Sequence, residues 1–242
     1  MENRRMDCGF ALLVVLLCMS LSCDRQSGSS PDQSVSFIEL NDFSQWRGAP
    51  GYWTFAEGVI TGETTEQNVK NGPTYLIWQG GELDDFELHF KFRFDGESGN
   101  SGVQFRSTAG EDFMVTGYQA DIEVGHDWTG VLVEMGGRLH LARRGQKVVV
   151  APDGTLDVIA SVGDPEQLQS YIQPNEWNEF VVTAIGNHIV HKINGHVMID
   201  VVDGQVDHAA KNGILALQLN RANPMRVQFK DIRVKRLGEK SI

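Results

Sequence analysis

Between Arg106 and Arg144 the chain gathers side chains suited to moving protons and steadying charge. Gln119, Asp121 and Glu123 alternate along one stretch, and His126, Asp127 and Trp128 follow in Gly125-His-Asp-Trp-Thr-Gly130. Glu134 and Arg138 flank Gly136-Gly137, and Arg106 closes Asn100-Ser-Gly-Val-Gln-Phe-Arg106. Carboxylates and imidazole can act as base or acid, and a guanidinium can neutralise a developing oxyanion. Asp121, Glu123, His126, Asp127 and Glu134 could also offer hard ligands to Ca²⁺, Mg²⁺ or Mn²⁺, although their spacing matches no defined metal loop. A plainer reading stands beside these. An acidic row on a strand is most often a solvated face, and Arg106 can simply pair with Glu123.

Strands must carry these groups. Over 114–124, positions 117, 119, 121 and 123 share a face, so Gln119, Asp121 and Glu123 form a polar row. Tyr118, Ala120, Ile122 and Val124 turn the other way, to a core. The same period of two places Phe86, Leu88, Phe90, Phe92 and Phe94 on one face and Glu87, His89, Lys91 and Arg93 on the other, a half-buried antiparallel strand. Over 189–200, Asn194-Gly195 supplies the two positive φ angles of a hairpin turn.

Further strands are expected over 36–40, 52–55, 58–62, 75–78, 102–106, 130–134, 138–142, 179–185, 213–219 and 227–234, with a helical turn only over 165–172. A dozen short strands without a long helix predict an all-β fold, a two-sheet antiparallel β-sandwich of the jelly-roll kind. Trp53 and Trp177 are expected in its core. Glu97-Ser-Gly-Asn-Ser-Gly102 reads as a strand turn, not a phosphate cradle, because no helix follows it.

The first residues read as an address. Arg4 and Arg5 precede an apolar run over 9–21, which falls short of the ~20 residues that span a bilayer and suits a secretory signal over 1–22. The three cysteines, Cys8, Cys18 and Cys23, all lie there, leaving the folded part without a thiol for a disulfide or zinc. Cys23, directly after the run, resembles the lipidated cysteine of bacterial lipoproteins, although Ser20 stands where a Leu is usual. Residues 24–34 form a polar tether. The expectation is an exported protein held at the cell envelope by a lipid on Cys23, with 35–242 folding as one domain. The net charge of −11 argues against a nucleic-acid partner.

Read in order, Gly51-Tyr-Trp-Thr-Phe-Ala-Glu-Gly-Val-Ile-Thr-Gly62, Asn100-Ser-Gly-Val-Gln-Phe-Arg106, Gly117-Tyr-Gln-Ala-Asp121, Glu176-Trp-Asn178 with Ile193-Asn-Gly195, and Gly213-Ile-Leu-Ala-Leu-Gln218 ahead of Phe229-Lys-Asp-Ile-Arg233 carry a resemblance. Together they resemble the 3-keto-disaccharide hydrolase domain family, with its concanavalin-like sandwich. The resemblance implies an enzyme for glycosides already oxidised to a ketone at C3, cleaving by elimination across C1 and C2 with water addition, or by net hydrolysis. Many members carry Glu where this chain has Gln119.

The ketone makes the C2 hydrogen acidic. Cleavage then asks for a base near C2, a cation or metal at the ketone oxygen, and an acid for the leaving oxygen. With the resemblance, the candidate catalytic residues are Asp121, Glu134, Arg106, Arg138 and His126, with Asp121 and Glu134 also as ligands of a divalent Ca, Mg or Mn ion. Gln119, Trp128 and Asn100 are the candidate contacts to a carbohydrate substrate. The alternative is a lectin-like binding module without chemistry. An enzyme needs two or more titratable groups converging on one sugar; a binder does not.

Overall fold

In the computed structural model the described residues are 36–69, 71–221 and 223–237. The expected signal segment, the lipidation site Cys23 and the tether lie outside them. The strands are β1 (Ile38–Glu39), β2 (Trp46–Gly48), β3 (Trp53–Ala56), β4 (Val59–Thr64), β5 (Pro73–Trp78), β6 (Phe86–Phe94), β7 (Asn100–Ala109), β8 (Val115–Glu123), β9 (Leu132–Met135), β10 (Leu139–Ala142), β11 (Gln146–Val150), β12 (Leu156–Ser161), β13 (Asn178–Ile185), β14 (His188–Ile193), β15 (His196–Asp203), β16 (Ile214–Asn220) and β17 (Met225–Arg236), with one short helix, α1 (Pro165–Ser170). Asp164 caps α1 by accepting from the Gln167 N–H, and Pro165 opens its first turn.

Two sheets result. The ten-stranded sheet runs β12-β11-β15-β14-β13-β6-β17-β4-β3 with β1 on β17, and the seven-stranded sheet runs β10-β9-β8-β7-β16-β5-β2. Pairing is antiparallel except where β11 runs parallel to β15. The expected antiparallel sandwich is therefore present, with that one exception.

The alternation of β6 places Phe86, Leu88, Phe90, Phe92 and Phe94 between the sheets, none more than 4% exposed. Phe90 stacks on Phe180 at 5.0 Å between centroids. From the other sheet Val103, Phe105, Tyr118, Ala120 and Ile122 close the core. Each buried aromatic removes a large apolar area from water, which is what holds two sheets face to face.

One expectation fails, and one element was not foreseen. Trp177 is not a core anchor: it lies half-buried between Arg93 and Lys230, whose cations sit 4.7 and 4.3 Å from its ring, on the outer face of the ten-stranded sheet. The ribbon β11–β12 was not expected at all. Val148-Val-Val150 breaks the alternation, and all six residues of β12 are exposed.

Candidate functional site

The outer face of the seven-stranded sheet, away from the core, carries two cross-strand rows of polar side chains. Asp121 on β8 pairs with Gly102 on β7, Gly102 with Gln218 on β16, and Gln218 with Tyr75 on β5. In the next row Gln104 pairs with Gln119, Gln119 with Val133 on β9, and Val133 with His140 on β10. Paired residues share a face, so register alone brings six segments of sequence together. The period-two split of β8 holds. Tyr118, Ala120 and Ile122 are in the core, and Gln119 and Asp121 face the other way.

This polar face is not a solvated one. Gln104, Gln119, Gln218 and Tyr75 are buried, and Asp121 is only 5% exposed. Such burial requires hydrogen bonds, and they are present. Ser107 Oγ donates to Gln104 Oε1 at 2.7 Å, Gln104 Nε2 to Gln119 Oε1 at 2.9 Å, and Gln119 Nε2 to Asp121 Oδ1 at 2.8 Å. A branch runs from Gln119 Nε2 to Gln218 Oε1 at 3.3 Å, and Gln218 Nε2 donates to the Tyr75 hydroxyl at 3.2 Å. Gly102 makes room for it. A Cβ there would lie 2.5 Å from Gln119 Cγ, a distance no side chain tolerates.

Asp121 is electrostatically displaced. Burial, the largest effect, raises its pKa to about 7, although Gln119, Asn100 and the Ile122 backbone hydrogen-bond the carboxylate and pull the other way. It opens onto a depression of about 240 Å³ lined by Asn100, Gln119, Asp121, Gln218, Asn220, Pro73, Trp128, Val133, Met135, Leu139 and His140. That is smaller than the ~300–1,000 Å³ of drug-sized ligand sites.

One wall comes from the loop that follows β8. Glu123 accepts the backbone N–H groups of Asp127 and Trp128, each at 2.8 Å. Arg144 bolts the loop from behind by donating to the carbonyls of Thr129 (2.9 Å) and His126. The loop thereby holds Trp128 against His140, their rings stacked at 4.4 Å, with the Arg143 guanidinium 5.0 Å from the Trp128 ring. Partial burial, aided by Arg143, lowers the pKa of His140. His140 and Asp121 are thus two titratable groups on one depression, pushed in opposite directions.

Of the expected residues, Asp121, Gln119, Asn100 and Trp128 meet here. Four do not. Glu134 pairs with Tyr118 and shares its core-side face, so it projects from the opposite side of the sheet to Asp121. There its carboxylate accepts from the Arg138 backbone N–H and guanidinium. Arg138 also donates to Asp203 at 2.7 and 3.0 Å, and the Tyr118 hydroxyl donates to the same Asp203. Burial works to raise the Asp203 pKa, but Arg138 and Tyr118 outweigh it and hold the carboxylate ionised. This is a structural ion-pair cluster.

Arg106 does not pair with Glu123. Its guanidinium is buried, where it donates to Asp85 at 2.9 Å, to Asp84 O at 2.7 Å and to Gly186 O. His126 is exposed and lines other depressions, contributing a carbonyl to Arg144.

A divalent ion finds no matching donor set. Asp121 and Glu134, the expected ligand pair, stand on opposite faces of one sheet. Around Asp121 the remaining donors are amides and the imidazole of His140, and among the described residues no three His, Cys, Asp or Glu side chains converge to hold a metal. No chemical step below is routed through one.

His140, Gln218, Gln104, Tyr75 and Asn220 belong to the site but were not singled out in the sequence. Their strand alternation was readable; which strands lie beside β8 was not.

Among curated proteins none matches the chain. A candidate glycosyl hydrolase from Parabacteroides distasonis has a similar structure, with TM-score 0.57 and 18% identity, over 84% of this chain and 100% of that one. A Bacillus subtilis protein of unknown function with a galectin-like fold gives 0.55 at 10% identity, over 84% of this chain and 95% of that one. A carbohydrate-binding module from Bacillus subtilis gives 0.51 at 16% identity, over 79% and 95%. At these identities the likeness is one of fold. The profile of the 3-keto-alpha-glucoside-1,2-lyase-like domain matches residues 34–235, from just before β1 to the last residues of β17, and the chain belongs to that family.

Proposed function

We propose that this chain cleaves 3-keto-glycosides by elimination across C1 and C2, in the depression around Asp121. The observation that supports this most directly is the placing of Asp121, with its pKa raised to about 7, on one depression with a second titratable group, His140. A base is most effective when its pKa lies near the working pH, so Asp121 is a stronger base than an ordinary carboxylate and still ionised in about half the molecules at neutrality. Membership of a 3-keto-alpha-glucoside-1,2-lyase-like family supports this choice of substrate class.

Asp121 takes the C2 proton, and the electron pair moves onto the ketone oxygen. As the carbonyl reforms, the C1–O bond breaks, C1=C2 forms, and the departing oxygen takes a proton from His140. Water then adds across C1=C2. Its oxygen bonds C1, the proton on Asp121 returns to C2, and the water proton restores His140. The ketone oxygen meets amide side chains such as Asn100 and Asn220 rather than the guanidinium first expected, since Arg106 and Arg138 are committed elsewhere.

The test follows release of a chromogenic aglycone from a 3-keto-glucoside by wild type and Asp121→Ala. It is run in chelator and with added Mn²⁺ or Ca²⁺. Release that disappears with Asp121 and is indifferent to metal is expected. The second reading is a lectin-like module, which the amide-rich floor and the fold shared with a carbohydrate-binding module favour. Sugar binding without release under any condition would establish it. We also propose export and a lipid on Cys23; mass spectrometry of the mature N-terminus decides that.

A further inference from the structure

The depression has two chemically different halves. Toward β7 and β16 it is lined by Asn100, Gln119, Asp121, Gln218 and Asn220; toward β9 and β10 by Val133, Met135 and Leu139, with the Trp128–His140 stack beside them. Two strand spacings, roughly 10 Å, separate β8 from β10. A sugar ring over Asp121 therefore places whatever it carries on the apolar half.

Leu139 makes that half unusual. It is 54% exposed, and its φ of +62° lies in the left-handed region that a leucine enters only at a cost. Strict alternation would turn it to the face of Glu134, its cross-strand partner, yet it lines the depression beside its neighbour His140. The hairpin that imposes this is fixed from the core side. Arg138, the preceding residue, is held by Glu134 and by buried Asp203, and its guanidinium also donates to Gln205 Oε1 at 3.1 Å. An ion-pair cluster with no place in the depression thus fixes the residue that aims Leu139 into it. Strained backbone and an apolar side chain held toward water go together where a ligand completes the surface.

We propose that Val133, Met135 and Leu139 form an aglycone subsite, and that the preferred ligands are glycosides of apolar, ring-sized aglycones rather than disaccharides. The proposal rests on the sugar-binding reading of this depression and adds the class of group attached to the sugar. A second sugar would leave its hydroxyls facing Val133, Met135 and Leu139 without partners, which is unfavourable. An aromatic or aliphatic ring buries the same area at a gain. Glu134 and Arg138 become positioning residues for this subsite.

The test uses unoxidised ligands that elimination cannot consume. Phenyl α-glucoside and methyl α-glucoside are titrated by NMR against wild type, Leu139→Asn and, as a control far from the site, Leu156→Asn. Asparagine is among the residues most at ease at positive φ, so Leu139→Asn is expected to fold with unchanged or higher Tm. Wild type and Leu156→Asn should bind the phenyl glucoside about tenfold more tightly than the methyl one, as partial burial of a ring warrants. In Leu139→Asn that ratio should fall severalfold. Equal affinities in wild type, an unchanged ratio in Leu139→Asn, or no binding of either glucoside would each overturn the subsite. The subsite and the lyase reading fail separately. If a 3-keto-glucoside is not cleaved but the phenyl preference and its loss are seen, only the elimination chemistry falls.

Discussion

Replacing Asp121 with Asn removes a charge from a place where the fold resists it, and the consequence can be worked out. The carboxyl has an ordinary pKa of 3.8 and one of about 7 in the folded chain. A raised folded pKa means that protonated Asp121 adds stability that is fully present below 3.8 and lost as the pH climbs through 7. For a single group this loss amounts to roughly 2 kcal/mol by pH 5 and roughly 4 kcal/mol by pH 8. Asn cannot ionise. Its carbonyl can still accept from Gln119 and Asn100, and any difference in those hydrogen bonds is the same at both pH values. The stability advantage of Asp121→Asn over wild type should therefore grow by about 2–3 kcal/mol between pH 5 and pH 8. At ~2–4 °C per kcal/mol for a domain of this size, the gap in Tm should widen by about 5–10 °C. Calorimetry of both proteins at the two pH values measures it, beside aglycone release at pH 8. A gap that stays constant within a degree would refute the displaced carboxyl, and elimination that survives in Asp121→Asn would refute its role as base.

Gly102→Ala forces a Cβ to 2.5 Å from Gln119 Cγ, so Gln119 must leave Asp121. Stability should fall by about 1–3 kcal/mol, as in overpacked sites, and turnover should drop at least tenfold in assays at a temperature where circular dichroism shows a folded variant. His140→Gln should slow 3-keto-glucosides with alkoxide leaving groups about a hundredfold and those with nitrophenolate far less, because only the poor leaving group needs a proton. Equal losses would remove His140 from that role. The rate of wild type against pH should be a bell with its alkaline limb near 7, from Asp121, and its acid limb below 6.5, from His140. Asp85→Ala strands the buried Arg106 charge and should cost about 3 kcal/mol in denaturant unfolding, without changing kcat of the folded fraction.

Much of this was legible in the residues because a strand projects alternate side chains to opposite faces. The Phe86–Phe94 core face, the Asn194-Gly195 hairpin and the division of β8 into Tyr118, Ala120 and Ile122 against Gln119 and Asp121 all follow from period two. Asn194 has the expected positive φ of +49°, and Gly195 has +84°. The ribbon β11–β12 escaped because Val148-Val-Val150 masks the alternation of β11, whose Val148 and Val150 are buried, while β12 is exposed throughout and has no buried face to impose one. Trp177 misled because a strand-like context says nothing about which side of a sheet an indole lies on.

Glu134 and Arg138 show where sequence reading stops. They are charged, close in sequence to Asp121 and flanked by glycines, and in the fold they hold Asp203 and Tyr118 on the other side of the same sheet. Gln218, far from Asp121 in sequence, and His140, only two residues past Arg138, share its depression. The sequence by itself determined the all-β class, the alternation within each strand and the carboxylate Asp121, since these depend on neighbours one to four residues away. Only the tertiary structure decided which strands adjoin, in what register, and how deeply Asp121 is buried. Those depend on which sheet pairing buries the most apolar surface, and a shift of one residue would have turned every one of these side chains to the opposite face.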